Sequence, residues 1–290
     1  MMTDSSQGAV ISDLDPLVIT SPVIRSGTTL LQRVLCSSRR TLIYGELCAQ
    51  DLDFFLSLYT FKSMQYKQRA GSNAQALQKV LAGEVNEWIA DLMPDIDQYV
   101  TALGQAAFAG VAYCRDYAHR AGRPIWGFKH PAWKPSTIRI LRSVMPKSRF
   151  VFIYRDIEDC LRSAKAGLAV NSHQEAAEFC QNWKENLSCM LRLEDDPAVL
   201  LLRFEDLLTE PVEVLDRLAA FTGVDDLDPD VLRHKVNAAS GEDYLAQAKD
   251  GYVSPAELDA AERQFVQLAD DEVRAQLDAY QQRTKPCLTT

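Results

Sequence analysis

The segment 17–36 constrains the fold more than any other part of this 290-residue chain. It begins with an apolar, β-branched run, continues through small polar residues, and ends with apolar residues at helical spacing. A strand, a tight loop and a helix N-terminus in succession form an anion-binding cradle, because backbone N–H groups and the positive end of the helix dipole converge there. Residues 26–29 would supply those N–H groups together with the Thr28 and Thr29 hydroxyls, and Arg25 would add a fixed positive charge.

This loop differs from the P-loop of nucleotide hydrolases, whose pattern is GxxxxGK[ST]. When Gly27 is aligned with the second glycine of that pattern, Pro22 stands at the first glycine and Thr28 at the lysine. Two defining positions are therefore absent, which argues against ordinary hydrolysis of ATP or GTP.

The composition excludes several classes of protein. The formal net charge of −9 does not favour nucleic acid or acidic membranes as partners, so an anion site must come from local geometry. We expect no signal peptide, because residues 1–15 are polar and acidic and lack a basic region followed by an apolar run. We expect no membrane insertion, because no uncharged apolar stretch approaches the roughly 18–20 residues that a span needs. The seven scattered cysteines predict reduced thiols in a cytoplasmic protein, and the four histidines form no metal-ligand pattern with them, so we expect no metal.

Short apolar runs alternate with helical patterns along the chain. The runs lie at residues 17–19, 41–44, 125–129, 149–154 and 199–202. Because such alternation builds parallel sheets, we predict an α/β fold with a P-loop-like, doubly wound parallel sheet flanked by helices. The helical spacing of apolar residues within 47–121 predicts a large helical insertion after the second strand. No linker divides the chain, so we predict a single domain over residues 1–290, with a flexible segment at 1–15.

Two strings of residues stand at predicted strand ends: RSGTT at 25–29 and RFVFIYRDIEDCLRS at 149–163. They resemble the 5′-phosphosulfate loop and the 3′-phosphate motif of sulfotransferases that use 3′-phosphoadenosine 5′-phosphosulfate (PAPS), in particular the bacterial and tyrosylprotein branch. In that branch a proline directly precedes the loop arginine, whereas here it stands three residues earlier, at Pro22. The resemblance implies a sulfotransferase-like domain that binds PAPS and its product PAP without a metal. The donor contacts that it implies are Arg25, Ser26, Gly27, Thr28, Thr29, Arg155 and Ser163.

The resemblance also implies catalytic groups. In tyrosylprotein sulfotransferases a glutamate 21 residues after the loop arginine is the general base, and Glu46 stands at that separation from Arg25. Lys129, in FKHP, resembles the family's second cation, which neutralises sulfate oxygens as the S–O bond breaks. We therefore predict Glu46 as the base and Lys129 and Arg25 as catalytic cations, with His130 as the reserve base. As a lone residue before a helix, Glu46 would instead be a partner of the helix dipole.

Three further residues complete the implied donor site. Phe204, in LLLRFEDLLTEP, resembles an aromatic residue that flanks the adenine, and Trp183, in FCQNWKENL, resembles a tryptophan often found on the preceding helix. Both fit a role in the core equally, and for Trp183 the core is favoured. Lys249, in AKDGY, is the candidate for a basic loop that closes over the cofactor.

Two other functions stay open: an atypical P-loop kinase that uses Arg25 and Arg155 as phosphate clamps, and a non-catalytic nucleotide-binding module. For a sulfotransferase, the acceptor would be a hydroxyl of a small molecule, a glycan or a specialised metabolite. The helical insertion would bind that acceptor. Within it, we interpret residues 61–72 either as a lid or acceptor-binding loop or as a solvated helix extension.

Overall fold

The computed structural model describes residues 11–84, 86, 92–233 and 257–284. In these ranges one parallel sheet contains five strands. The strands are β1 (Leu17–Thr20), β2 (Thr41–Tyr44), β3 (Ile125–Lys129), β4 (Arg149–Tyr154) and β5 (Val199–Arg203). Their order in the sheet is β2-β3-β1-β4-β5. Each strand boundary lies within one residue of the apolar run that predicted it, and the parallel α/β fold is confirmed.

Eleven α-helices flank the sheet in the described ranges. They are α1 (Thr28–Ser37), α2 (Glu46–Lys67), α3 (Ala70–Leu81), α4 (Ile96–Ala107), α5 (Ala109–Arg120), α6 (Pro135–Val144), α7 (Ile157–Ala166), α8 (His173–Leu191), α9 (Phe204–Thr209), α10 (Pro211–Thr222) and α11 (Ala260–Thr284). Helices α2 to α5 lie between β2 and β3, which confirms the helical insertion. Residues 61–67 continue α2 and residues 70–72 begin α3, so the helix-extension alternative is correct for that segment.

The apolar strands are covered on both faces of the sheet. On β1, Leu17 and Ile19 pack against Leu31 of α1 on one face, whereas Val18 joins the core on the other face with Phe150 of β4. Successive side chains of a strand point to opposite faces, so a sheet covered on both sides needs apolar residues at every position. This requirement explains why the strands read as continuous apolar runs rather than as alternating patterns.

The loop after β1 lies at the point where the sheet order reverses. β1 pairs with β3 on one side and with β4 on the other. From β1 the chain passes through α1 to β2 at one edge, and from β4 it passes through α7 and α8 to β5 at the opposite edge. Doubly wound sheets bind ligands at the carboxyl ends of their strands at such a switch point. The ends of β3 and β4 therefore flank the loop.

The N-terminal segment is partly ordered against the domain. Residues 11–15, which the sequence assigned to a flexible segment, include the buried Leu14 and also Asp15, which accepts a hydrogen bond from the Trp126 indole at 2.9 Å. The predicted closing residue Lys249 lies outside the described residues. Among the helices of the described ranges, none has the length and apolar character that a membrane span requires.

Candidate active site

The loop between β1 and α1 is fixed by its own buried hydroxyl groups. Ser21 and Ser26 both donate hydrogen bonds to the Val23 carbonyl, at 2.7 and 2.9 Å. The Ser26 hydroxyl also lies 3.5 Å from the thiol of Cys160, and burial raises the pKa of that thiol to about 12. The Ser26 side chain therefore points into the fold. This orientation is consistent with the predicted contact through the Ser26 backbone N–H, which stays a prediction.

Two residues of this loop adopt left-handed backbone conformations. Arg25 has φ 70° and Gly27, the N-cap of α1, has φ 96°. A Cβ atom at Gly27 would lie 2.3 Å from the Phe204 ring, so this position requires glycine both for its backbone and for its packing. Such tight backbone bends at a helix N-terminus gather successive N–H groups into a concave anion site.

Strand β3 and helix α2 bring an ion pair to the same loop. The Lys129 Nζ lies 2.5 Å from Glu46 Oε1 and 3.3 Å from Thr29 Oγ1. The Lys129 side chain is 6% exposed and that of Glu46 is 45% exposed. The ammonium therefore lies in the wall between the loop and the carboxylate, while the carboxylate opens to solvent. A cation, a base and the loop hydroxyl meet within one group of contacts.

His130 follows Lys129 and lies beside this ion pair. Its ring stacks on Trp133, with ring centroids 5.8 Å apart. Burial lowers the pKa of His130 and outweighs the opposing effect of Glu46 and Asp53, two nearby carboxylates. The imidazole is thus favoured in its neutral form, which can accept a proton.

The loop motif at residues 25–29 and the motif at residues 149–163 contact each other directly. Arg25 Nε donates to Ser163 Oγ at 2.9 Å, which joins the loop after β1 to helix α7. At the end of β4, the buried Arg155 pairs with Asp159 at 2.9 Å, and its guanidinium lies 4.8 Å from the Phe204 ring centroid. Phe204 thus packs between Arg155 and the glycine of the loop. The sequence motifs, although far apart in the chain, form one site.

Trp183 has a different position from the one that the resemblance implies. Its side chain is 1% exposed, and its indole N–H donates to the Arg155 carbonyl at 3.1 Å. A side chain this buried supports the end of β4 rather than stacking on a ligand. The adenine contact that the resemblance implies for Trp183 does not fit this position, whereas the core role that the sequence favours does.

The sequence analysis missed two buried amides that hold the site in place. Asn186 of α8 donates to the Pro22 carbonyl at 2.7 Å, and Gln32 of α1 donates to the Ile43 carbonyl at 2.8 Å. Both amides stand on helix faces that are otherwise apolar. A polar residue within an apolar stripe was the available signal, because a buried amide needs a hydrogen-bond partner.

A cluster with metal-ligand spacing occurs at the N-termini of α8 and α11. It consists of His173, Asp259 and Glu262. Protein partners already engage its carboxylates, since His173 lies 2.7 Å from Asp259 and Lys165 lies 2.6 Å from Glu262. We therefore interpret the cluster as an ion-paired contact between the two helices.

Comparison with known proteins identifies the family. The model of the sulfotransferase family matches residues 16–229, a range that contains the loop, the ion pair and the 3′-phosphate motif. The chain belongs to the sulfotransferase family. No curated protein matches the sequence.

Solved structures with a similar fold include three sulfotransferases. Mouse sulfotransferase SULT7A1 complexed with PAP has a TM-score of 0.50 at 12% identity, over 92% of this chain and 89% of that chain. The sulfotransferase domain from the Synechococcus PCC 7002 olefin synthase has a TM-score of 0.47 at 19% identity, over 88% and 96%. The sulfotransferase from Alicyclobacillus acidocaldarius has a TM-score of 0.47 at 15% identity, over 92% and 96%. At 12% identity, the likeness to the mouse enzyme concerns the fold alone.

Proposed function

We propose that this protein transfers a sulfuryl group from PAPS to a hydroxyl group of an acceptor. The observation that carries the proposal is the position of Lys129, whose ammonium contacts Thr29 of the anion loop and the Glu46 carboxylate at once. Sulfuryl transfer needs a base for the acceptor, a cation at the sulfate and a cradle for the donor phosphate. These three groups are adjacent here. Family membership and the PAP complex of the mouse enzyme support the choice of donor.

In this proposal the donor is held at both ends. The loop N–H groups, Arg25 and the Thr28 and Thr29 hydroxyls bind the 5′-phosphosulfate. Arg155 and Ser163 bind the 3′-phosphate, and the half-buried ring of Phe204 lies beside them to contact the adenine. The left-handed backbone at Arg25 and Gly27 suits an anion of this kind, because it gathers the N–H groups of the loop at the N-terminus of α1.

The reaction requires one proton transfer and one substitution at sulfur. Glu46 takes the proton from the acceptor hydroxyl, and the acceptor oxygen forms a bond to sulfur in line with the leaving group. The bond between sulfur and the 5′-phosphate oxygen breaks, and its electron pair stays on that phosphate oxygen. Lys129 and Arg25 stabilise the charge that develops there. His130 is the reserve base, since burial favours its neutral form.

The acceptor in this proposal is a small-molecule, glycan or specialised-metabolite hydroxyl bound by helices α2 to α5. Glu46 is the first residue of α2, and its side chain is partly exposed. The same helix carries exposed apolar residues, including Phe54 and Phe61. Cytoplasmic action is supported by the cysteines, because the six in the described ranges are free thiols.

Ligand-dependent stability tests the donor. PAP at a hundred times its Kd should stabilise the fold by about 2.7 kcal/mol, whereas ATP with Mg²⁺ should give no comparable shift. Stabilisation by ATP with Mg²⁺ alone would favour the atypical kinase. Transfer of ³⁵S from labelled PAPS to a panel of phenols, sugars and alcohols then tests catalysis. PAP binding without transfer to any member of the panel would favour the non-catalytic module.

The variant Glu46→Gln tests the base. With any acceptor that the wild type uses, it should lower kcat by roughly 10²- to 10⁴-fold and leave the PAP affinity within a few-fold of wild type. The matched control is Asp51→Asn, which removes an exposed carboxylate from the same helix. Unchanged turnover in Glu46→Gln would reassign the base to His130.

A further inference from the structure

Helix α8 contacts the donor site at two places with neighbouring residues of one face. Trp183 and Asn186 stand three residues apart, so they lie on the same side of the helix. Trp183 donates to the Arg155 carbonyl at 3.1 Å, and Asn186 donates to the Pro22 carbonyl at 2.7 Å. One rigid element therefore holds the end of β4 and the loop after β1.

The Asn186 contact fixes the beginning of the anion loop. The amide is buried, and the carbonyl that it binds belongs to a buried proline. Without the amide that carbonyl would lose its partner away from water, which is costly. Three residues further along the chain, Arg25 has left-handed backbone geometry, so a shift at Pro22 would displace the whole turn.

The Trp183 contact fixes the other end of the site. Its indole lies in the core, and its N–H is bonded to the backbone of the residue that carries the 3′-side guanidinium. That guanidinium in turn packs on Phe204. Displacement of the Arg155 backbone would therefore move both the cation and the ring.

We propose that Asn186 and Trp183 are positioning residues, through which α8 sets the separation between the 5′-side and the 3′-side of the donor site. This inference rests on the proposed function, because it assumes a donor with phosphates at both positions. A ligand that carries both phosphates benefits from a fixed separation, since neither end has to be ordered when it binds. Each positioning residue acts on one end of the donor site. Its loss should therefore mainly weaken the binding of the phosphate at that end.

Three adenosine nucleotides allow the two ends of the donor site to be tested separately. The affinities of PAP, adenosine 5′-phosphate and adenosine 3′-phosphate are measured by displacement of labelled PAP. Asn186→Leu keeps the approximate volume and removes the donor, and it should weaken PAP and adenosine 5′-phosphate roughly 3- to 10-fold without affecting adenosine 3′-phosphate. Trp183→Phe keeps an aromatic core and should weaken PAP and adenosine 3′-phosphate by a similar factor. Adenosine 5′-phosphate should weaken less, because it shares only the adenine contact with Phe204 and lacks the 3′-phosphate.

The controls distinguish positioning from general destabilisation. Asn182→Leu makes the same substitution at an exposed position of α8 and should leave all three affinities unchanged. If either buried variant weakens the three ligands equally, the residue is merely structural and the inference fails. Should Asn186→Leu not fold, Asn186→Ser, which keeps a small donor, must show the same pattern in weaker form. Failure of the wild type to bind PAP would instead overturn the proposed function itself.

Discussion

The proposed donor side and the proposed acceptor side of this site are built in opposite ways. On the donor side, Lys129, Arg155 and Ser163 are buried, and each is held by protein partners. On the acceptor side, α2 presents apolar side chains to solvent, with Leu47 78% and Phe54 66% exposed. A site for a ligand of fixed shape gains from preorganised groups, whereas an exposed apolar surface has room to differ with the acceptor. The two sides meet at the Lys129–Glu46 ion pair.

The largest expected effect is at that meeting point. Lys129→Met keeps most of the aliphatic stem and removes the charge, so transition-state stabilisation at the sulfate is lost. We expect kcat to fall roughly 10²- to 10³-fold, with a much smaller change in PAP affinity. Steady-state transfer assays and PAP titration measure the two quantities. Lys134→Met, an exposed lysine in the next segment, is the control. A kcat within a few-fold of wild type would remove Lys129 from the catalytic groups.

The next effect tests how rigid the donor side is. Gly27→Ala adds a Cβ atom against Phe204 at a position with φ 96°, so the loop must shift. We expect roughly 30- to 100-fold weaker PAP binding and about 1–3 kcal/mol lower stability, measured by titration and by denaturant unfolding. Gly223→Ala is the matched control, because Gly223 has φ 76° but open space around its Cβ position. It should lose stability through backbone strain alone and bind PAP normally. Equal PAP affinity in both variants would contradict a preorganised cradle.

The same contrast explains how much the sequence could predict. Strands were predictable to within a residue, because a sheet covered on both faces demands continuous apolar runs. The proximity of the candidate donor residues was predictable, because the motifs follow strands whose carboxyl ends meet. The pairing of Arg25 with Ser163 was beyond the sequence, since it depends on how β1 and β4 lie side by side.

Side-chain direction was harder to predict than the position of a motif. Ser26 belongs to the loop motif, and only the structure shows that its hydroxyl turns inward to a carbonyl and a thiol. For Trp183 the sequence left two roles open and favoured the core, and the contact of its indole N–H with the Arg155 carbonyl fits that alternative. A motif specifies which backbone positions approach a ligand, whereas the orientation of each side chain depends on tertiary neighbours. The proposed acceptor region, helices α2 to α5, carries no motif, so only its helical character was predictable.

A smaller effect is expected on the acceptor side. Phe54→Ser removes an exposed ring from α2, and it should raise the KM for an apolar acceptor roughly 3- to 10-fold while leaving the KM for PAPS unchanged. The control is Leu208→Ser, an exposed apolar residue on α9 at the donor side. Separate titrations of acceptor and PAPS give the two values. A change in the KM for PAPS alone would contradict the division between the two sides.

The smallest effect concerns pH and compares two histidines. Burial lowers the pKa of His130 below its ordinary 6.5, against the opposing influence of Glu46 and Asp53 and with a small contribution from Lys129. The unfolded chain therefore binds the proton more readily than the folded chain. The stability linked to His130 is present above pH 6.5 and is lost as the pH falls through the folded pKa. His130→Asn should consequently flatten the fall in Tm between about pH 6.5 and 5.

His173 should show the opposite sign, which makes it the control. The hydrogen bond that His173 donates to Asp259 raises the pKa of His173, with Glu262 acting in the same direction and Lys165 against it. Its stabilising contribution is present below pH 6.5 and is lost as the pH rises through the raised pKa. In His173→Asn, Tm should therefore decline less as the pH rises above 6.5. Calorimetry from pH 5 to 8 can measure the change. If both variants changed the pH dependence of Tm in the same direction, the buried His130 and the exposed, paired His173 would behave alike. Burial of His130 beside Glu46 and Asp53 could then not be the cause of its lowered pKa.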